Sequence, residues 1–121
     1  MDTTETYVKM CEKAVEIQVL AKLFEKDQYS FWVCSKWHLP VHSGRFFSDD
    51  IWLPRQDQLW EIFDNTKGLL SGEVQLIYEY MRSFLGHNNW PETWEQLLLR
   101  FVMKELWGKI WSIEKEEWVK E

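Results

Sequence analysis

The chain contains few of the residues that interrupt or cross-link a fold. Its 121 residues include two cysteines, three prolines and five glycines. Two thiols, Cys11 and Cys34, are too few for a disulfide framework, although a single bridge between them stays open. The residues after Met1 are polar, unlike a secretory leader, so we expect a cytoplasmic protein with free thiols.

Long apolar runs and basic residues are also scarce. No apolar stretch approaches the roughly 20 residues that a membrane span requires, so we expect no membrane contact. Fourteen basic and 20 acidic residues give a net charge of −6. A protein that binds the phosphate backbone usually has the opposite balance, so we expect no direct nucleic-acid binding. The acid excess is compatible with a basic protein partner, but plain soluble domains carry the same charge.

Reactive motifs are missing too. The chain has no glycine-rich phosphate loop and no G-x-S-x-G, H-E-x-x-H or C-x-x-C motif. Cys34, His38 and His42 are spaced by four, but Pro40 stands between the histidines and no fourth ligand is evident, so we predict no metal site and no cofactor. The adjacent acids Asp49–Asp50 point to opposite faces of a strand, which separates them. We therefore predict that the protein is not an enzyme.

Aromatic residues, in contrast, are abundant. Nine Trp, seven Phe and four Tyr can each bury on the order of 150–250 Å², so one core closes over a single domain, residues 1–121. Nine indoles are hard to hide, and we expect at least one exposed cluster that stacks on sugars or unpaired bases or anchors a protein partner. Alternatively, most of them are core. The tryptophans that we assign to the cluster are Trp32, Trp37, Trp52 and Trp60.

Helical periodicity alternates with β-like runs along the chain. This pattern predicts a helix-dominated α+β fold, with about four helices packed on a small antiparallel sheet or ribbon. A first amphipathic helix within residues 1–26 is capped by Asp2 or Thr3. The further predicted elements are strands over 29–37 and 46–53 with a turn over 39–45 between them, helices over 54–65, 71–86 and 94–107, a loop over 87–91 and a C-terminal hairpin, favoured over an extension of the last helix.

The last of these helices has the clearest local signals. Thr93 and Gln96 form a capping box, and Gly108 is the natural stop. Trp94 opens an apolar stripe that continues through Leu97 and Leu98, so we expect its ring to face the core.

The stretch Ile51–Leu59 joins an apolar run to a helix. Pro54 ends the strand and fits the first turn of the helix, where Asp57 is favoured by the free N–H groups and the helix dipole. Its polar side chains either bond to backbone groups as scaffold or form a binding site with the tryptophans, and both interpretations stay open. The predicted binding residues are Trp52, Arg55, Gln56, Asp57 and Gln58 together with Trp32, Trp37 and Trp60.

Three segments resemble a family of short hypothetical proteins encoded by phages and prophages. That family reads roughly Y-x-x-M-C-x-x-A-x-E-I-Q, W-L-P-R-Q-D-Q-L-Q and E-Q-L-W-L-x-F-V-M-K-E, often followed by G-K-x-W and W-V. The corresponding residues are 7–18, 52–60, 95–105, 108–111 and 118–119. The chain departs from the pattern at Trp60 and Leu98, and residues 27–50 match poorly. The resemblance implies a mobile-element origin and no assigned activity.

Origin and composition together suggest two functions. The first is a phage accessory protein, in the host cytoplasm, that binds and modulates a host protein, most simply as an inhibitor of a defence component, as an anti-CRISPR protein does, or of a transcription component. The alternative is a module that binds a nucleotide or sugar against exposed tryptophans, with Arg55 or Asp57 orienting the polar part of the ligand.

Overall fold

A computed structural model describes residues 2–21, 31–33, 40–41, 50–67, 79–80, 82 and 91–121 of the chain. The predicted helix-dominated α+β class is confirmed. No helix within these ranges is long and apolar enough to cross a membrane. The elements are α1 (Glu5–Lys13), α2 (Val15–Val19), β1 (Phe31–Val33), β2 (Pro40–Val41), β3 (Ile51–Leu53), α3 (Gln56–Lys67), α4 (Trp94–Trp107), β4 (Lys109–Ser112) and β5 (Glu117–Lys120).

The strands form two antiparallel sheets. One has the order β2-β1-β3 and pairs Trp32 of β1 with Trp52 of β3. Residues 40 and 41 were predicted to lie in a turn, which is wrong, because they form β2 at the edge of this sheet. An edge strand tolerates Pro40, since a proline can leave its missing N–H on the unpaired side.

The predicted first helix is divided at Ala14. The backbone there leaves the helical region, with φ −85° and ψ 73°, so α1 ends and α2 begins at this residue. The capping residue is Thr4, and not Asp2 or Thr3 as predicted, because the Thr4 hydroxyl accepts the hydrogen bond from the Tyr7 N–H. Asp2 instead accepts hydrogen bonds from the Thr4 N–H and hydroxyl and so holds the cap in place.

Helix α3 begins two residues later than predicted. Pro54 stays outside the helix, and the Arg55 carbonyl accepts the first helical hydrogen bond, from the Leu59 N–H at 3.0 Å. Arg55 is therefore the N-cap, and Asp57 still lies in the first turn, where the helix dipole favours a carboxylate.

The C-terminal elements follow the prediction closely. The Thr93 hydroxyl accepts a hydrogen bond from the Gln96 N–H, and Gly108 ends α4 in the left-handed region with φ 64°. The favoured hairpin is confirmed as β4 and β5, with Trp111 paired to Trp118. The Trp118 indole N–H donates to the Met10 carbonyl at 2.9 Å and thereby fixes the hairpin to α1.

The core lies where α1, β3, α3 and α4 meet. Phe63 of α3 and Phe101 of α4 stack with their ring centroids 5.1 Å apart. Tyr7, Trp52 and Leu53 are fully buried in the same cluster. Of the predicted third helix the structure describes residues 79, 80 and 82, which are helical; its remaining residues, most of the predicted strands and turn of 29–50 and positions 87–90 of the predicted loop lie outside the described residues.

Candidate binding surface

Two side chains of the N-terminal helices form hydrogen bonds with the backbone of the stretch that joins β3 to α3. Gln18 of α2 forms a two-way pair with the Trp52 backbone: its Oε1 accepts from the Trp52 N–H at 2.8 Å, and its Nε2 donates to the Trp52 carbonyl at 2.9 Å. The Tyr7 hydroxyl donates to the Pro54 carbonyl at 2.6 Å. The side chain of Gln18 therefore pairs with the outer edge of β3 as a neighbouring strand would.

The polar residues of the α3 first turn divide into two kinds. Gln58 is buried, and its Oε1 accepts from the Arg55 N–H at 2.9 Å, which is the N3 half of a capping box. Arg55 and Asp57 form an ion pair through two hydrogen bonds of 3.0 and 3.1 Å, with the Asp57 side chain 69% exposed. Gln56 is exposed. Gln58 is thus scaffold, Gln56 and Asp57 are exposed, and the Arg55 side chain is 26% exposed.

The predicted tryptophan cluster does not form an exposed face in the described part of the chain. Trp52 is fully buried, and its ring centroid lies 6.5 Å from that of Trp32. Trp32 and Trp60 are half-buried and pack against the core, where Trp60 contacts Phe101 with ring centroids 6.2 Å apart. Trp37 lies outside the described residues. Trp32, Trp52 and Trp60 therefore agree better with the alternative prediction, in which most of the tryptophans belong to the core.

A buried carboxylate links the first residues of the chain to α4. Asp2 accepts at Oδ2 from the Thr93 hydroxyl at 2.5 Å and from Gln96 Nε2 at 3.0 Å, and at Oδ1 from the Thr4 N–H at 2.8 Å. Burial alone raises the pKa of the Asp2 carboxyl, but the hydrogen bonds from its neighbours outweigh burial and hold the pKa below its ordinary value. The N-terminal ends of α1 and α4 therefore meet at this carboxylate.

Trp94 is the large aromatic side chain that sequence reasoning missed as a surface residue. It is 55% exposed, although its stripe predicted a core position, while the other described tryptophans are buried or half-buried. It occupies the first helical position after the Thr93 cap, while the next two residues, Glu95 and Gln96, are buried. The position directly after the cap was the available signal, because helical periodicity does not show which residues of a first turn are covered.

Metal ligands and thiols are two kinds of reactive group that the sequence raised. The described residues contain no group of three or more His, Cys, Asp or Glu side chains that could hold a metal. Cys11 is a buried free thiol whose pKa burial raises well above its ordinary value, so it is a poor nucleophile, and the Cys11–Cys34 bridge is not formed. Cys34, His38 and His42, considered above as metal ligands, lie outside the described residues, as does Asp49.

Comparison of the chain with protein-family models, with curated proteins and with solved structures finds no match. The site is therefore interpreted from its own geometry alone.

Proposed function

We propose that the protein binds and modulates a host protein by surface contact, without catalysis, as a phage accessory protein that inhibits a defence or transcription component. The observation that carries this proposal is the exposed ring of Trp94. Tryptophan is enriched among the residues that dominate binding energy in protein interfaces. Trp94 is 55% exposed, so a partner that covered its ring would remove apolar surface from water, which favours binding.

The position of Trp94 suits an anchor. The ring follows a cap that is fixed by hydrogen bonds from Thr93 and Gln96 to the buried Asp2 carboxylate. Its backbone is therefore held before a partner arrives, which lowers the ordering cost of binding. Arg55, Gln56 and Asp57 present a second polar surface at the start of α3, and they stay predicted contact residues.

A capture experiment with matched variants tests the proposal. The tagged chain, Trp94→Ala and Ile113→Ala are each incubated with a lysate of a bacterial host. Ile113 is the control because it is also a large apolar side chain and is 52% exposed. We expect one stoichiometric protein with the parent chain and with Ile113→Ala, and its loss with Trp94→Ala.

Circular dichroism shows whether each variant keeps its fold, and both are expected to do so because neither side chain is part of the core. The proposal is wrong if no stoichiometric protein is captured, or if Trp94→Ala captures it as well as the parent chain does. A functional readout follows from the captured partner, whose activity should fall as the chain is added.

A further inference from the structure

We infer that the protein partner places a basic side chain, arginine in particular, over the Trp94 ring, between acidic side chains of α1 and of the segment before α4. This inference rests on the proposed function and names the chemistry of its partner. Three observations lead to it. Two chain segments meet beside Trp94, both segments are acidic, and the helix N-termini in both are already capped.

The first observation is that the segments 2–6 and 91–99 meet at the Asp2 carboxylate. The Asp2 carboxylate bonds within its own segment to Thr4 and across to Thr93 and Gln96. Trp94 directly follows Thr93, so the residue that carries the exposed ring adjoins this contact between the two segments.

The second observation is the sign of the charge at this boundary. The two segments contain four acids, Asp2, Glu5, Glu92 and Glu95, and no Lys or Arg. Glu5 and Glu92 are exposed, so their carboxylates contribute to the field in front of the ring.

The first basic residue after each segment is either paired or buried. Lys9 forms an ion pair with Glu116, with 2.9 Å between the Lys9 Nζ and the Glu116 Oε2. Arg100 is buried. Within the described residues, the two segments that meet beside Trp94 therefore carry an excess of acidic side chains.

The third observation argues against a partner of the opposite sign. Free N–H groups at a helix N-terminus attract anions, but the capping bonds already occupy groups at both of these ends. The Thr4 hydroxyl accepts from the Tyr7 N–H, and the Thr93 hydroxyl accepts from the Gln96 N–H. The buried Asp2 carboxylate also supplies a negative charge there. An anionic partner, such as a nucleic acid or an acidic peptide, would meet repulsion and few donors.

A basic side chain, in contrast, is suited both to the exposed Trp94 ring and to the acidic side chains beside it. A guanidinium over the face of an indole gains cation–π attraction, for which tryptophan is the best ring and arginine the more frequent cation. The neighbouring carboxylates add charge-assisted contacts. Acids in the first turn of a helix also stabilise that helix by themselves, so the experiment must measure binding and not only stability.

Nuclear magnetic resonance on the full chain provides that measurement. The indole N–H signal of Trp94 is identified as the one that disappears in Trp94→Phe. The probes are three acetylated and amidated peptides, Gly-Arg-Gly-Arg-Gly and its counterparts with Gln or Glu in place of Arg. We expect the arginine peptide alone to shift the Trp94 signal in a saturable way.

The acidic side chains are tested by matched variants. Glu92→Gln should weaken binding of the arginine peptide about 3- to 10-fold, and raising the salt concentration from 50 to 300 mM should weaken it similarly. Glu114→Gln removes an equally exposed acid from the hairpin turn and should leave the affinity unchanged. An absent shift, an equal shift with the glutamine or glutamate peptide, or an equal loss in Glu114→Gln would overturn the inference.

The two proposals fail in different ways. Capture of a host protein that needs Trp94, without any shift by the arginine peptide, keeps the proposed function and rejects the basic partner. Capture that does not need Trp94 rejects the proposed surface itself.

Discussion

Replacing Gln18 should destabilise the protein more than any other exchange of a partly exposed polar residue discussed above. Its side chain makes three hydrogen bonds: two to the Trp52 backbone, at 2.8 and 2.9 Å, and one from Nε2 to the Cys11 carbonyl at 3.0 Å. Gln18→Ala removes all three. The Cys11 carbonyl keeps the hydrogen bond from the Ala14 N–H, but the Trp52 N–H and carbonyl lose these partners at the outer edge of β3.

The magnitude follows from those groups. A hydrogen bond contributes about 0.5–1.5 kcal/mol net, and an orphaned buried group costs about 1–3 kcal/mol. Gln18 is only partly buried, so water reaches some of the freed groups. We therefore expect Gln18→Ala to lower the free energy of unfolding by about 2–3 kcal/mol, which lowers Tm by roughly 6–15 °C in a domain of this size.

Gln18→Glu keeps the size of the side chain and changes only its hydrogen-bonding groups. At neutral pH its carboxylate accepts from the Trp52 N–H but faces the carbonyls of Cys11 and Trp52 without a proton to donate. The two carbonyls favour the protonated form and raise the pKa of this glutamate in the folded state. Its stabilising contribution is thus present below the pKa of an unfolded glutamate and is lost as pH rises through the higher folded pKa.

Urea unfolding followed by circular dichroism between pH 4 and pH 7.5 measures both variants. The difference between Gln18→Glu and the parent chain should shrink as pH falls. Gln56→Ala provides the control, since Gln56 is exposed at the start of α3, and should change stability by less than about 0.5 kcal/mol. A loss below about 0.5 kcal/mol in Gln18→Ala, or a pH-independent deficit in Gln18→Glu, would refute this account of Gln18.

Three further exchanges test single contacts by urea unfolding. Tyr7→Phe removes only the hydroxyl that donates to the Pro54 carbonyl at 2.6 Å and should cost about 1–2 kcal/mol; an unchanged midpoint would contradict it. Asp2 has a folded pKa below its ordinary value of 3.8, so its stabilisation is present above 3.8 and is lost as pH falls through the lower folded pKa. Asp2→Asn should flatten this part of the pH profile between pH 5 and pH 2, and parallel profiles would argue against it. Gly108→Ala should cost about 1 kcal/mol, because φ is +64° while no atom lies within 4 Å of the added Cβ, and a loss above about 3 kcal/mol would show a clash instead.

Local signals in the sequence predicted the elements that depend on local contacts. The Thr93 cap and the Gly108 stop lie within one turn of the residues that they serve, and both are present as predicted. The other half of the predicted capping box differs, because the Gln96 Oε1 accepts from the Glu92 N–H at 3.2 Å. The role of Gln18 could not be found in this way, because its partner Trp52 is 34 residues away and a polar residue in an amphipathic helix normally indicates a solvated face.

The candidate site was harder to predict for a related reason. Trp52 was predicted to lie in an exposed cluster and Trp94 to face the core, yet Trp52 is fully buried and Trp94 is 55% exposed. Their burial depends on how α1, α3 and α4 meet, and no pattern within a single segment contains that information. Gln58 differs from Gln56 only by its position in the α3 first turn, and this position makes one a cap and leaves the other in solvent.

The α1 contacts also bear on how the protein is made. The Met10 carbonyl accepts a hydrogen bond from Trp118, which lies 108 residues later in the chain, and the Asp2 carboxylate accepts one from Thr93, which lies 91 residues later. During synthesis α1 leaves the ribosome long before either of these partners exists, although its contact from Tyr7 to Pro54 spans only 47 residues and can form earlier. The last contacts of α1 therefore need the C-terminal hairpin, and folding is expected to be completed only after synthesis ends.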